Sequence, residues 1–318
     1  MHTLQKNIII TTIGLLLGFV SLGNCFVLDK YHVKVKVVDD NGMAVQGADT
    51  GISFENMDGR KMTGSRGLSD SLGIFEASGT GNGHITFGAT KEGYYRSNYS
   101  LNLPQEGKGD QIDKEFNVLL RKIENPVPMY ARHIRKEIPY PKQEIGFDLS
   151  KADWVAPYGQ GVIADFNVYL EADEAGSNDF EYNVKISFGG EYNGYYSHVE
   201  NINAGNVYKL PRYARLDGYE TNIQVFWRGL KRGLKTSWNS NLHYIFRVRT
   251  EKKDGKFDRA MYGKIVSDIE LRSNRREGKL PSIEFTYYLN PDYTRNLEFD
   301  PKRNLFPDLP ELERISYP

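Results

Sequence analysis

Along much of the chain, apolar and polar side chains alternate, and this period of two predicts β-strands rather than helices. The first clear case begins at Tyr31, where valines and lysines alternate. The valines occupy one face of the predicted strand and the lysines the other: Val33, Val35 and Val37 against Lys34 and Lys36. Asn41–Gly42 closes this strand, because the dipeptide tolerates the positive φ of a tight turn.

The other strands of the N-terminal third are short, and about seven strands fit the region in total. The clearest of them are predicted at Ile52–Phe54, His84–Ala89, Tyr99–Leu103 and Phe116–Leu120. Glycine-containing turns separate these strands, which favours a small β-sandwich.

The rest of the chain repeats the pattern with longer strands. Two of them, Val162–Leu170 and Phe180–Phe188, flank a polar stretch and are predicted to pair as an antiparallel hairpin. Further strands are predicted at Asn222–Arg228, Leu242–Thr250, Met261–Arg272 and Ser282–Leu289. No stretch has the sustained period of a long helix, and a short helical turn is predicted near Asp308. The strand count favours a second, larger antiparallel β-sandwich of jelly-roll or lectin-like type.

The predicted all-β chain divides at a segment with two prolines in three residues, Glu124–Pro128, which is expected to be extended. We therefore predict a signal segment at residues 1–25, a first sandwich at 26–122 and a second at 123–318 with an irregular tail.

Spaced residues of the first region resemble a known family. The series Val-x-Val-x-Asp-x-x-Gly-x-x-Val-x-Gly-Ala ends at Ala48, and Ser69–Asp70, Gly73, Phe75 and Gly93–Tyr94 follow. This arrangement resembles the carboxypeptidase regulatory-like domain over residues 30–121. The resemblance implies a transthyretin-like, Ig-like β-sandwich that serves as a stalk, spacer or adhesion module and carries no catalytic residues.

The N-terminus is typical of an export signal. Lys6 is the only charged residue before Asp29, and Ile8–Val20 carries no charge. Leu22–Gly23–Asn24–Cys25 resembles a bacterial lipobox, except that an asparagine precedes the cysteine where the family has a small residue. The sequence leaves three outcomes open: lipidation of Cys25, ordinary cleavage of a signal peptide nearby, and an uncleaved anchor.

Export predicts a periplasmic, outer-membrane-associated or extracellular protein. The segments Tyr287–Pro291 and Arg295–Pro301 resemble the endings of exported bacterial proteins and support this expectation. The 41 basic residues balance the 41 acidic ones, so no nucleic-acid partner is predicted. Membrane contact is expected only through the signal or a lipid anchor, and the single cysteine rules out an internal disulfide.

Motifs of the common enzymes are missing from the sequence. The six histidines are scattered singly without zinc-ligand spacing, no Gly-x-Ser-x-Gly elbow occurs, and no cofactor is predicted. Paired carboxylates near the first hairpin of the second region are candidates for glycoside hydrolysis, namely Glu171, Asp173, Glu181 and Glu191. The alternative is an ordinary solvated surface.

The predicted loop of that hairpin gathers oxygen-bearing side chains. Asp173, Asn178 and Asp179 are candidates for a calcium site, although the order of an EF-hand is missing. The alternative is a polar hairpin loop without a metal.

Aromatic residues are the main candidates for ligand contacts: Tyr192, Tyr195, Tyr196, Trp227 and Trp238. The two tryptophans bracket a basic loop with Arg228, Lys231, Arg232 and Lys235. Exposed rings stack on sugars or anchor a protein partner. In an all-β protein the same residue types also serve as core and cross-strand residues.

Taken together, the sequence predicts a non-enzymatic exported bacterial envelope protein, a binding or adhesion module whose partner is a glycan or an envelope protein. One alternative is a secreted carbohydrate-active enzyme or an accessory subunit of one, which a cleft with converging carboxylates and an aromatic ring would favour. Another is a purely structural envelope protein, which would expose an apolar or aromatic patch instead of a pocket.

Overall fold

The computed structural model describes residues 28–56, 62–104, 109, 111–201, 205–272 and 279–318. The predicted signal segment and Cys25 lie outside the described residues. The described chain contains β-strands and only single 3₁₀ turns, at Leu230–Arg232, Pro301–Arg303 and Glu311–Glu313, so the predicted all-β fold class is confirmed. Across those residues, no helix has the length and apolar character needed to cross a membrane.

The strands of the N-terminal part are β1 (Asp29–Val38), β2 (Asp49–Glu55), β3 (Met62–Leu68), β4 (Ile74–Gly81), β5 (His84–Thr90), β6 (Tyr94–Tyr95), β7 (Ser97–Asn102), β8 (Gln111–Leu119) and β9 (Arg121–Lys122). Those that follow are β10 (Tyr130–Glu137), β11 (Glu144–Asp148), β12 (Asp153–Trp154), β13 (Phe166–Gly176), β14 (Asp179–Ser187), β15 (Gly194–Val199), β16 (Gly205–Asn206), β17 (Asn222–Arg228), β18 (Lys235–Thr236), β19 (Leu242–Lys253), β20 (Lys256–Arg272) and β21 (Ser282–Asn290).

The first sandwich packs a sheet of order β4-β1-β8 against one of order β16-β7-β5-β2-β3. β1 and β8 run parallel, and the other neighbours in these two sheets are antiparallel. The predicted valine face of β1 is fully buried in the core, whereas Lys34 and Lys36 stay partly exposed. β16 comes from much later in the chain and pairs with β7, so it extends the first sandwich.

The second sandwich consists of an upper sheet, β10-β21-β20-β19-β15, and a lower sheet, β12-β11-β13-β14-β17-β18. All neighbouring strands in both sheets are antiparallel. The core between them is rich in aromatic side chains, including Phe147, Phe166, Phe246, Phe285 and Tyr287. Burial of these large rings supplies much of the hydrophobic stabilisation.

The strand predictions for this region are largely confirmed. β17 has the predicted bounds, and β13 and β14 form the predicted antiparallel hairpin. The predicted start of β13 at Val162 is wrong, because the strand begins at Phe166. The amides of Val162 and Ile163 instead donate to Asp148 Oδ2, at 2.9 and 3.1 Å, which holds both residues in an exposed loop.

The two sandwiches are joined at Glu298, whose side chain is buried. The Tyr95 hydroxyl donates to its carboxylate at 2.8 Å, and Arg212 Nη1 lies 3.1 Å from it. The backbone amides of Glu124 and Asn125, in the predicted boundary segment, donate to the same carboxylate at 3.0 and 2.9 Å. The segment between the sandwiches is therefore held against the second sandwich.

Candidate ligand-binding cavity

A cavity of about 550 Å³ lies on the side of the upper sheet that faces away from the core. Alternation along the strands separates the two faces, since Ile265 and Tyr287 enter the core while Lys264 and Thr286 line the cavity. The segment 205–210, which includes β16, and Arg96 next to β7 close the other side. The cavity thus lies between the two sandwiches, with a volume in the roughly 300–1,000 Å³ range of small-molecule sites.

A β-bulge shapes the cavity wall. The pairing of β20 with β21 shifts register between Val266 and Glu270, and Ser267 in the bulge has a φ of 65°. Its amide donates to the side chain of His243 on β19, at Nδ1 and 2.9 Å, and not to a backbone carbonyl. Bulges of this kind redirect side chains, and they are frequent beside functional sites.

Trp238 lines the cavity with 40% of its surface exposed. Both of its neighbours in the chain are anchored. Ser237 exchanges hydrogen bonds with the Phe226 backbone, and the Asn239 amide donates to Asp268 Oδ2 at 3.1 Å. The backbone that carries the indole is therefore fixed on each side, an arrangement that lowers the entropic cost of ordering this loop when a ligand binds.

Asp268 fixes this loop from the bulge. It is buried, and its Oδ1 accepts the Tyr244 hydroxyl at 2.6 Å and the Ile269 amide at 2.7 Å. Burial raises the pKa of Asp268 above the ordinary aspartate value, against the lowering effect of these hydrogen bonds. Asp268 is thus a positioning residue for the tryptophan loop.

Two further carboxylates line the cavity. Glu270 and Glu284 are direct cross-strand partners, and Arg272 contacts both, at 2.8 and 3.4 Å. His133 Nε2 lies 3.5 Å from Glu284 Oε1. Burial, together with the charge of Glu284, raises the pKa of Glu270 despite the nearby guanidinium of Arg272. These groups offer hydrogen-bond acceptors to a polar ligand.

Lys264 is the most deeply buried cation of the cavity, at 1% exposure. Its Nζ lies 4.5 Å from the ring centroid of Tyr288 and 4.9 Å from that of Tyr208. Burial lowers the pKa of Lys264 to about 7, against the opposing charge of Glu298.

The five aromatic residues predicted as ligand contacts are not brought together. Tyr195 is buried in the main core, and Tyr196 is buried in a smaller one beyond the upper sheet, so neither ring offers a face to a ligand. Trp227 packs edge-on against Phe180 of the core, and Tyr192 is partly exposed with its ring edge-on to Phe257. Trp238 alone of the five lines the cavity.

The calcium candidates of the β13–β14 hairpin already contact a cation. Arg232 from the basic loop lies 2.6 Å from Asp173 and 2.7 Å from Asp179. The Asn178 carbonyl accepts the Lys231 amide at 2.9 Å. Within the described ranges, no cluster of three or more His, Cys, Asp or Glu side chains is arranged to hold a metal ion.

The carboxylates predicted near that hairpin lie outside the cavity. Glu181 pairs with Arg228 at 3.0 Å, and Glu191 pairs with Lys252. Asp173 and Glu181 are cross-strand partners, and Glu171 is exposed on β13. Three other acidic residues line the cavity and were not predicted from the sequence: Asp268, Glu270 and Glu284. The available signal was their polar character within two predominantly buried strands.

No protein-family model matches the chain, and no curated protein matches it. Solved structures give weak likenesses. A catechol 1,2-dioxygenase variant from Acinetobacter radioresistens is 15% identical with a TM-score of 0.26, over 32% of this chain and 54% of its own. The chain therefore spans about half the length of that dioxygenase.

Two other likenesses cover more of the chain. The major pilin subunit of Bacillus cereus is 10% identical with a TM-score of 0.22, over 80% of this chain and 69% of its own. A Bacteroides uniformis protein provisionally described as carbohydrate binding is 10% identical with a TM-score of 0.19, over 82% of this chain and 98% of its own. Scores this low assign neither a shared fold nor a function.

Proposed function

We propose that this chain is a non-enzymatic exported envelope protein that binds a carbohydrate in the cavity between its two sandwiches. A sugar ring has an apolar face of C–H groups and a rim of hydroxyls. The cavity offers the matching surfaces, since Trp238 presents an aromatic ring and Glu270, Glu284 and Thr286 supply polar groups.

The observation that carries the proposal is that Trp238 borders the cavity on an anchored backbone. A partly exposed tryptophan on a mobile loop would be an ordinary surface residue. Here Ser237 and Asn239 secure the backbone on both sides, and the ring borders a cavity of about 550 Å³. Rigid aromatic side chains beside polar groups are the usual anchors of binding sites.

Binding is favoured over catalysis because the carboxylates are engaged with cations. Arg272 contacts both Glu270 and Glu284, and Arg135 Nε lies 3.8 Å from Glu284. Cross-strand ion pairs of this kind stabilise neighbouring strands without any substrate.

The test is a calorimetric titration of the wild-type protein with a panel of neutral and acidic oligosaccharides, repeated with Trp238→Ala. Loss of a stacking ring is expected to weaken binding by about tenfold or more. Tyr192→Ala is the matched control, because it removes a partly exposed ring outside the cavity. Equal binding by wild type and Trp238→Ala, or loss of binding only in Tyr192→Ala, would contradict the proposal.

Glycoside hydrolysis is a second candidate, favoured by the raised pKa of Glu270 beside a second carboxylate, Glu284. Two carboxyl groups in different environments can serve as acid and as base or nucleophile. Release of reducing ends from a polysaccharide by the wild type, abolished in Glu270→Gln and kept in Glu171→Gln, would establish it. Sugar binding without hydrolysis would rule out the hydrolase and leave the proposed binding function.

A further inference from the structure

The ring of Tyr208 is contacted by three cations. The guanidinium carbons of Arg121 and Arg212 lie 4.7 and 5.4 Å from its centroid, and Lys264 Nζ lies 4.9 Å away. Such contacts are favourable when the cations are shielded from water. Of these groups, Tyr208 and Lys264 form part of the cavity wall.

Two of these three cations are neutralised by the protein. Asp40 accepts from Arg121 at 2.7 Å and from Arg212 at 3.2 Å, and the Glu298 carboxylate lies 3.1 Å from Arg212 Nη1. For Lys264, the described part of the chain provides neither a hydrogen-bond partner nor an ion-pair partner. The carboxylate of Glu298, whose charge reaches Lys264, is already engaged by Tyr95 and by the backbone of the boundary segment.

A lysine at 1% exposure without a counter-ion is costly, because two aromatic faces take the place of most of its hydration and the protein supplies no acceptor. Natural cores seldom retain such a residue, since a methionine of similar length would fill the space. A ligand that brings its own negative charge removes the cost. Arg96 and Lys209 also line the cavity and add to the positive potential that such a ligand would meet.

We infer that the cavity binds an anionic saccharide, with the negative group of the sugar paired to Lys264 and the sugar ring at Trp238. This inference rests on the proposed function and specifies its substrate class. The acceptors Glu270 and Glu284 face each other on β20 and β21 beyond the bulge, several residues from Lys264. The cavity therefore has a lysine for the anion and, further along the strands, hydrogen-bond acceptors for hydroxyl groups.

The anionic group can be a carboxylate or a sulfate, and two probes distinguish them. Trigalacturonate carries carboxylates, its methyl ester is the matched neutral sugar, and a sulfated galactan trisaccharide carries sulfate esters. Titration calorimetry at pH 6 is expected to show one of the two acidic probes binding about ten- to a hundredfold more tightly than the neutral ester, as charge-assisted hydrogen bonds do.

Lys264→Met should remove this preference and leave the binding of the neutral ester unchanged. Lys235→Met is the matched control, because Lys235 is exposed and lies outside the cavity. A preference that survives in Lys264→Met, or one that disappears in Lys235→Met, would overturn the inference.

A second measurement uses the wild-type protein alone. At pH 8, binding of the acidic sugar should draw a proton onto Lys264, which calorimetry in buffers of different ionisation enthalpy detects. His133, Glu270 and Glu284 face the same cavity, and Glu298, Arg121, Tyr208 and Tyr288 surround Lys264. The neutral ester contacts the same groups. Proton uptake that occurs with the acid but not with the ester is therefore caused by the negative charge of the sugar.

The outcomes separate the two claims. If acid and ester bind equally and Trp238→Ala weakens both, the carbohydrate function stands and the anionic preference is overturned. If neither acid nor ester binds and the sulfated probe also fails, the inference is overturned, and the neutral sugars of the wider panel decide the proposed function. Tight binding of an acidic probe that depends on Lys264 and on Trp238 supports both.

Discussion

The hydroxyl of Tyr95 donates a hydrogen bond to the Glu298 carboxylate at 2.8 Å, across 203 positions of the sequence. Tyr95 belongs to β6, before the predicted boundary, whereas Glu298 follows β21. Glu298 also receives two amides of the boundary segment, so this contact joins the first sandwich to the second alongside the pairing of β16 with β7. The cavity lies between the sandwiches, and its shape therefore depends on this junction.

Removal of the Tyr95 hydroxyl should loosen the junction. Tyr95→Phe leaves a buried carboxylate with one donor fewer, and we expect the free energy of unfolding to fall by about 1–3 kcal/mol. Urea unfolding measures the change. Tyr94→Phe, at the neighbouring and less buried position, should shift stability by less than about 0.5 kcal/mol. Equal effects of the two substitutions would show that the junction does not depend on this hydrogen bond.

Lys264 should reduce stability in the absence of a ligand. Its pKa of about 7 in the folded chain lies below the value of 10.5 for a free lysine, so between these values the unfolded chain binds a proton that the folded chain lacks. The cost of burying the lysine is therefore largest below pH 7 and declines as pH rises towards 10. We expect Lys264→Met to raise the free energy of unfolding at pH 6 by about 1–4 kcal/mol.

This gain should shrink as the pH is raised from 7 to 10, which unfolding curves at several pH values measure. Lys256→Met, on an exposed position of the same strand, provides the control and should have a small effect without this pH dependence. A Lys264→Met variant that is less stable than the wild type at pH 6 would mean that the ammonium group is stabilised within the folded chain.

Asp268 should control sugar binding through the tryptophan loop. In Asp268→Asn, the amide NH₂ group replaces one of the two oxygens and faces either the Asn239 amide or the Tyr244 hydroxyl and the Ile269 amide, so the network that anchors the Trp238 loop loses an acceptor. We expect sugar affinity to fall severalfold, and stability to fall by about 1–3 kcal/mol. Both are measured under conditions in which the variant is fully folded. Asp258→Asn, exposed on the same strand, should change neither; unchanged affinity in Asp268→Asn would remove this positioning role.

Gly263 should tolerate no side chain. A Cβ there would lie 2.2 Å from Phe246 Cζ and 2.3 Å from the Tyr288 carbonyl oxygen, inside a packed region next to Lys264. Gly263→Ala is expected to cost about 1–3 kcal/mol of unfolding free energy. Gly176→Ala, where no atom lies within 4 Å, should be nearly neutral in the same denaturation experiment. Equal stability of the two variants would contradict the packing described for β20.

Local periodicity predicted the strands well, because a strand with one buried face leaves its pattern in the sequence. The valine face of β1 and the bounds of β17 follow from that pattern. The same pattern gave a wrong prediction of exposed side chains where both faces of a strand are buried. Tyr195 and Tyr196 point to opposite sides of β15, yet a separate core covers each, so neither ring is free.

The cavity could not be predicted from local pattern, because its residues come together only in the tertiary structure. Arg96 and Trp238 belong to different sandwiches, and the β16 segment crosses from the second to the first. Lys264 left one signal, a lysine within a strand of mostly buried residues. A lone lysine in such a strand does not disclose whether a carboxylate lies opposite it, which only the fold determines.

The sugar site that we propose is the cavity between the sandwiches, with Trp238 at its edge. The most direct measurement is the NMR spectrum of the indole N–H groups during titration with an oligosaccharide that the protein binds, since the chain has three tryptophans. We predict that the Trp238 signal, assigned with Trp238→Phe, shifts with the added sugar, while those of Trp154 and Trp227 stay in place. A stationary Trp238 signal in the presence of saturating sugar would mean that the sugar does not bind in this cavity.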